Sequence, residues 1–130
     1  MNLHHTSTGK AILAHLPDEQ VEAIIGSVGL PALTANTITS VAALKKELCL
    51  VRAQGYAIDA QETAIGILGV AAPVFDHKAK LVGSVGVGGA VFEMDQNLKP
   101  LIAAVKKCAQ AVSEKLGYEE SAGAEQYRPA

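Results

Sequence analysis

The sequence predicts an α+β domain in which helices flank an antiparallel β-sheet. Three observations point there. Apolar residues recur at helical spacing up to Gly55, the pattern changes to long β-like apolar runs from Tyr56, and a strongly periodic helix follows Asn97. About three strands are visible, near the minimum for a stable sheet. One sheet edge is therefore expected to need a partner.

The first helix is read from "STGKAILAHL", where Ile12, Leu13 and Leu16 form one stripe. Thr6, Ser7 or Thr8 can cap it, and Pro17 cannot continue it smoothly. In "PDEQVEAIIGSVGL", Val21, Ile24, Ile25 and Val28 repeat at helical spacing, and Asp18 and Glu19 suit the positive end of a helix dipole. That second helix should stop near Gly26 or Gly29. "LTANTITS" reads as a loop that caps the third helix through Thr39 or Ser40. Val41, Leu44, Leu48 and Val51 mark its buried stripe, and Gly55 its stop, because glycine tolerates positive φ.

The strands come next. "YAIDAQET" alternates and then breaks, "AIGILGVAAPVF" and "KLVGSVGVGGAVFE" are long apolar runs, and "DHKAK" connects those two as a hairpin. Pro73 has no amide proton, so an edge or bulge position is expected for it. In the last helix Leu98, Leu101, Ile102, Val105, Ala109, Val112 and Leu116 form the apolar stripe. Asn97 is the expected cap, Pro100 falls in the tolerated first turn, and Gly117 ends the helix. One domain is expected over residues 1–118. Residues 119–130 lack periodicity and read as a flexible tail.

With 130 residues, 49% of them hydrophobic, the chain is long enough for one continuous core. Its formal net charge of -2 gives no pull toward a polyanion, so autonomous nucleic-acid binding is not expected. Cys49 and Cys108 read as reduced, half-buried thiols of a cytoplasmic protein rather than a disulfide. No segment has the ~20 uninterrupted apolar residues of a membrane span. A soluble protein without a membrane partner is expected.

The glycine-rich "LVGSVGVGGAV", Leu81 to Val91, invites a phosphate-loop reading. It fails on spacing. After Gly86 and Gly88 the third position of G-x-G-x-x-G is Val91, "EMDQN" follows rather than an immediate helix, and no Walker Lys-Ser or Lys-Thr is present. As a strand, the stretch places Val82, Ser84, Gly86, Gly88 and Ala90 on one face, which is bare in its middle. A glycine costs a strand about 0.5–1 kcal/mol relative to alanine, so two on one face imply a close approach by a packed helix or a small ligand. Gly66 and Gly69 in the neighbouring run extend the open area if the strands pair.

Catalytic signatures are weak. Asp59 and Glu62, at the end of a short strand, can orient a polar ligand, but solvated turn residues are the plainer reading. His4 and His5 lack a second group at metal spacing and His77 falls in a turn, so no metal site is assigned. G-x-S-x-G does not occur, and no nucleophile and base can be paired. No catalytic residue, enzyme activity or cofactor is expected.

Several stretches carry a resemblance: "HTSTGKAILAHLPDEQ", "TITS" before "ALKKEL", "VRAQGYAIDAQE", "GVAAPVFDHKAKLVGSVGV" and "AQAVSEKLGY". In this order they resemble the effector-binding domain of IclR-type transcriptional regulators, nearly end to end. The resemblance implies a curved antiparallel sheet related to GAF and PAS (profilin-like) folds. It implies that the winged helix-turn-helix and the first strands of the sensor sheet have no counterpart here, so DNA binding would belong to a domain outside this chain. It further implies a homodimer or homotetramer whose geometry responds to a small organic acid.

Site residues follow from the same resemblance. Ser7 and Thr8, at the start of the first helix, would hold a carboxylate through hydroxyls or backbone amides. Asp59 is the polar residue after "GYA". Gly69 stands where relatives often carry cysteine, and Gly86 and Gly88 where they often carry serine. These substitutions imply a roomier, less polar pocket suited to a larger or more apolar acid, or weakened binding. A hydrogen bond to a charged ligand is worth about 1.5–3 kcal/mol, so losing several moves affinity by orders of magnitude. The other reading is a structural or oligomerisation module that has lost its effector.

Overall fold

A computed structural model describes residues 2–119. Three helices lead into the sheet: α1 (Ser7–Leu13), α2 (Asp18–Val28) and α3 (Val41–Gln54). Strands β1 (Ala57–Ala60), β2 (Ile67–Phe75) and β3 (Leu81–Ala90) form an antiparallel sheet in the order β1-β2-β3. Two further helices, α4 (Val91–Gln96) and α5 (Leu98–Lys115), close the fold.

Local chemistry accounts for most helix ends. Thr6 caps α1 by accepting from the Gly9 amide at 3.0 Å, and Ser40 caps α3 by accepting from the Ala43 amide at 3.0 Å. Gly55 ends α3 at φ +84, and α2 runs through Gly26 to stop at Gly29. Asn97 precedes α5, but its side chain donates back to Glu93 O rather than capping the helix.

The central strand β2 divides the core by simple alternation. Ala71, with Ala57 of β1, packs against Ala11, Leu13 and Ala14 of α1 and Leu44, Leu48 and Val51 of α3. Leu68, Val70, Ala72 and Val74 point the other way, onto Met94 of α4 and Val105 and Ala109 of α5. Covered on both faces, β2 has no polar side to show, hence its unbroken apolar run. Ser113 of α5 is buried; its hydroxyl accepts from the Phe75 amide at 3.0 Å and donates to Ala109 O at 2.8 Å.

Several expectations change. The β-like run expected to reach Glu93 ends at Ala90, and α4 starts at once with Val91, where no immediate helix is expected. Pro73 lies in β2 opposite Ser84, at a local edge on its other side and next to a register shift, as its missing amide proton leads one to expect. β1 reaches only to Ala57, opposite Ala71, so beyond Ala71 β2 is flanked by β3 alone. The register shift at Val74/Phe75 starts one residue after Pro73. Val41 of the third-helix stripe is exposed, as are Val112 and Leu116 of the last. Both cysteines are exposed rather than half-buried. The expected tail, apart from Glu119, lies outside the described residues.

Candidate functional site

Helix α1 lies across all three strands, and its buried residues are Ser7, Gly9, Lys10, Ala11 and Leu13. Small residues there let the helix sit close to the sheet. Register brings together what the sequence could not align. Gly69 stands between Asp59 of β1 and Gly88 of β3, and Ala71 stands between Ala57 and Gly86. Gly69, Gly86 and Gly88 thus belong to two adjacent cross-strand rows on the α1 face.

The glycines are not equivalent. A Cβ on Gly69 would lie 2.8 Å from Ser7 Oγ and 3.6 Å from Asp59 Cβ. A Cβ on Gly86 would meet Val70 O at 2.7 Å, Ala71 Cβ at 2.9 Å and Thr8 Cγ2 at 3.2 Å. At Gly88 the nearest atom would be Leu68 O at 3.6 Å, an ordinary contact. Gly86 therefore serves close packing under α1, whereas Gly88 is open floor just beyond Thr8.

Ser7 is largely buried at 8% exposure, but the fully buried side-chain atom without a partner among the described residues is His15 Nε2, so the Ser7 hydroxyl keeps some access to solvent. Thr8 is exposed, and its carbonyl accepts from Ser84 Oγ at 3.0 Å, tying the start of α1 to β3. The structure thus gathers Ser7, Thr8, Gly69, Gly86 and Gly88 at one end of α1.

Asp59 is beside them but engaged. Its Oδ1 accepts from the amides of Glu62 at 2.8 Å and Thr63 at 3.3 Å, and its Oδ2 accepts from Thr63 Oγ1 at 2.6 Å. The carboxylate organises the β1–β2 turn. With the threonine proton on Asp59, His5 Nδ1–H donates to Thr63 Oγ1 at 2.8 Å. Burial, and then the neighbouring His4, push the His5 imidazole below its usual range, which favours this neutral form. The solvated-turn reading of Asp59 and Glu62 is overturned, since both are buried.

The group that sequence reading missed is Lys10. Its side chain is wholly buried, with Nζ 2.8 Å from Glu62 Oε2 and 2.9 Å from Glu47 Oε2. Lysine at that position looks like a solvated helix residue. A signal was present, though, because Lys10 falls three residues after Ser7, a spacing that puts the two on one helical side.

Elsewhere, a hollow of about 170 Å³ lies at the opposite end of α1, against α2 and α3, with Leu13, Leu16, Val21 and Leu48 among its lining residues. It is smaller than the roughly 300–1,000 Å³ of ordinary ligand pockets. Arg52 on its rim donates from Nε to Ala14 O at 2.6 Å. No group of metal-ligating side chains occurs among the described residues. No described helix is long and apolar enough to cross a membrane.

A three-stranded antiparallel sheet crossed by a capped helix, with glycines under the helix start, makes this an α+β domain. Residues 1–114 match the family described as bacterial transcriptional regulator IclR C-terminal. The chain belongs to the IclR family and corresponds to the C-terminal part of its members. It is 42% identical over 118 residues to the glycerol operon regulatory protein of Streptomyces griseus, covering 88% of this chain and 46% of that relative.

Among solved structures, Thermotoga maritima IclR superposes with a TM-score of 0.83 at 36% identity, covering 91% of this chain and 48% of that one. The inducer-binding domain of Acinetobacter PobR, a double mutant in complex with 3-hydroxybenzoic acid, gives a TM-score of 0.71 at 25% identity, over 82% of this chain and 64% of that one. The chain spans about half the length of the curated relatives it matches. Those relatives are regulators of transcription, not enzymes.

Proposed function

We propose that this chain is the effector-sensing part of a cytoplasmic IclR-type regulator, binding a small organic acid over the floor formed by Gly69 and Gly88. The observation that carries the proposal is the place of the Ser7 hydroxyl, at the largely buried start of α1 and 2.8 Å from the point that a Cβ on Gly69 would occupy. Ser7 and Thr8 supply hydroxyls and amides for the acid group, and Asp59 acts on the floor indirectly, by holding its turn. Gly86 makes room for Thr8 rather than for the ligand.

Charge narrows the ligand. Asp59, Glu62 and Glu47 contribute carboxylates near this floor, and the buried cation, Lys10, faces two of them. A monocarboxylate with an apolar body suits such surroundings better than a di- or tricarboxylate, whose added charges would be repelled. The named complex of PobR with an aromatic monocarboxylic acid is of this chemical class.

In the full regulator, differential affinity for two arrangements of a homodimer or homotetramer would convert binding into altered DNA contact, through a domain outside this chain. The β3 edge has no strand beyond it among the described residues, so a further strand completes the sheet and walls the site. The test is a thermal-shift screen of the folded chain against organic acids. A saturable rise in Tm with a monocarboxylate is expected. No rise with any acid would leave the oligomerisation-module reading, which the crowded Gly86 contact favours.

A further inference from the structure

Lys10 satisfies no acceptor on its own helix. Its Nζ lies 2.5 Å from Ile58 O of β1, 2.8 and 3.1 Å from the two carboxylate oxygens of Glu62 in the β1–β2 turn, and 2.9 Å from Glu47 Oε2 of α3. One ammonium therefore joins three segments to α1. Glu62 is itself aimed, because its Oε2 also accepts from the Ala60 amide at 3.0 Å. Taking the Lys10 ammonium and the Glu62 carboxylate out of water is unfavourable, and apolar groups of similar volume commonly hold a helix as firmly. What the charges add is direction: a lysine among apolar neighbours can rotate, whereas one pinned to a strand carbonyl and two carboxylates cannot.

We propose that Lys10 is the positioning residue of the effector site, setting the height and rotation of α1 and so the place of the Ser7 hydroxyl over Gly69. This rests on the reading of that floor as an effector site. Ser7 and Lys10 are three residues apart on one helical face, so fixing Nζ fixes the turn that carries Ser7. Glu62 shares its turn with Asp59, so the same contact holds the neighbouring wall. Glu47 extends the connection to α3, and a ligand that displaces Ser7 is felt there through a single side chain.

The test is amide hydrogen exchange on the full chain, comparing the native protein with Lys10→Met and Glu47→Gln. Glu47 is 28% exposed and leaves two anchors of Nζ in place, so Glu47→Gln keeps the measurement possible if Lys10→Met does not fold. In Lys10→Met, exchange of the amides from Gly9 to Leu13 and from Ala60 to Thr63 should accelerate at least tenfold, with α5 unchanged within twofold. Glu47→Gln should show the same pattern at about threefold. Because a merely structural contact also loosens its neighbourhood, a monocarboxylate that shifts the Tm of the native chain should in addition bind Lys10→Met at least tenfold more weakly. Uniform acceleration, none, or local loosening with unchanged affinity would overturn the positioning role. Local loosening in a protein that binds no acid in the thermal-shift screen would overturn the effector reading alone.

Discussion

The Ser7 hydroxyl oxygen lies 2.8 Å from the point that a Cβ on Gly69 would occupy, so a helix residue and a central-strand residue share one space. A serine rotor can swing, and alanine suits a strand better than glycine by about 0.5–1 kcal/mol. Gly69→Ala should therefore fold, with stability within about 1 kcal/mol of the native chain. Adding Ser7→Ala should recover about 1 kcal/mol of coupling in a double-mutant cycle read by urea denaturation. Zero coupling would mean that the hydroxyl does not occupy that space.

Gly86 and Gly88 should respond oppositely to serine. At Gly86 the obstacles include a backbone carbonyl that cannot rotate away, so Gly86→Ser should destabilise by about 1–3 kcal/mol. Gly88→Ser meets open floor and should be neutral or stabilising by up to about 1 kcal/mol. Equal losses at both positions in chemical denaturation would refute the division into packed and open glycines.

His15 should make the protein acid-sensitive. Burial, and then the positive charge of Arg52, lower its pKa from 6.5 to about 4, and its Nε2 is buried without a hydrogen-bond partner among the described residues. Its ring packs edge-on to Phe75. The sign follows from linkage: below pH 6.5 the unfolded chain binds a proton that the folded chain refuses until about pH 4. Stability is full above the unfolded value and falls across that window, by roughly 2–3 kcal/mol in all. His15→Gln should flatten the slope between pH 6.5 and 4 in urea titrations. An unchanged slope would assign the acid sensitivity to other groups.

Much of the local order was legible in the residues. A cap among Thr6, Ser7 and Thr8, another at Thr39 or Ser40, Gly55 as a stop and the three β runs follow from short-range chemistry, which needs only neighbouring residues, and the structure uses Thr6 and Ser40. The bare face of Ser84, Gly86 and Gly88 was legible for the same reason, because side chains alternate along a strand. Depth was not legible. Val41 fits the helical period but is exposed, whereas Asp59 and Glu62 look like solvated turn residues and are buried. Periodicity reports which residues share a face, not whether anything packs against it.

Residue patterns alone gave away the three strands and every helix but α4, the antiparallel pairing, the resemblance to a regulator family and the glycine-lined strand. Only the tertiary structure decided how those glycines are used. Cross-strand register set Gly69 between Asp59 and Gly88, and the fall of α1 across the sheet made Gly86 a packing contact while leaving Gly88 open. It also decided that Lys10 is an interior anchor, because its partners Glu47, Ile58 and Glu62 lie 37 to 52 residues away along the chain. Local propensity acts over a helical turn or a strand pair, and bringing those carboxylates to one nitrogen requires the whole sheet and α3 to be in place.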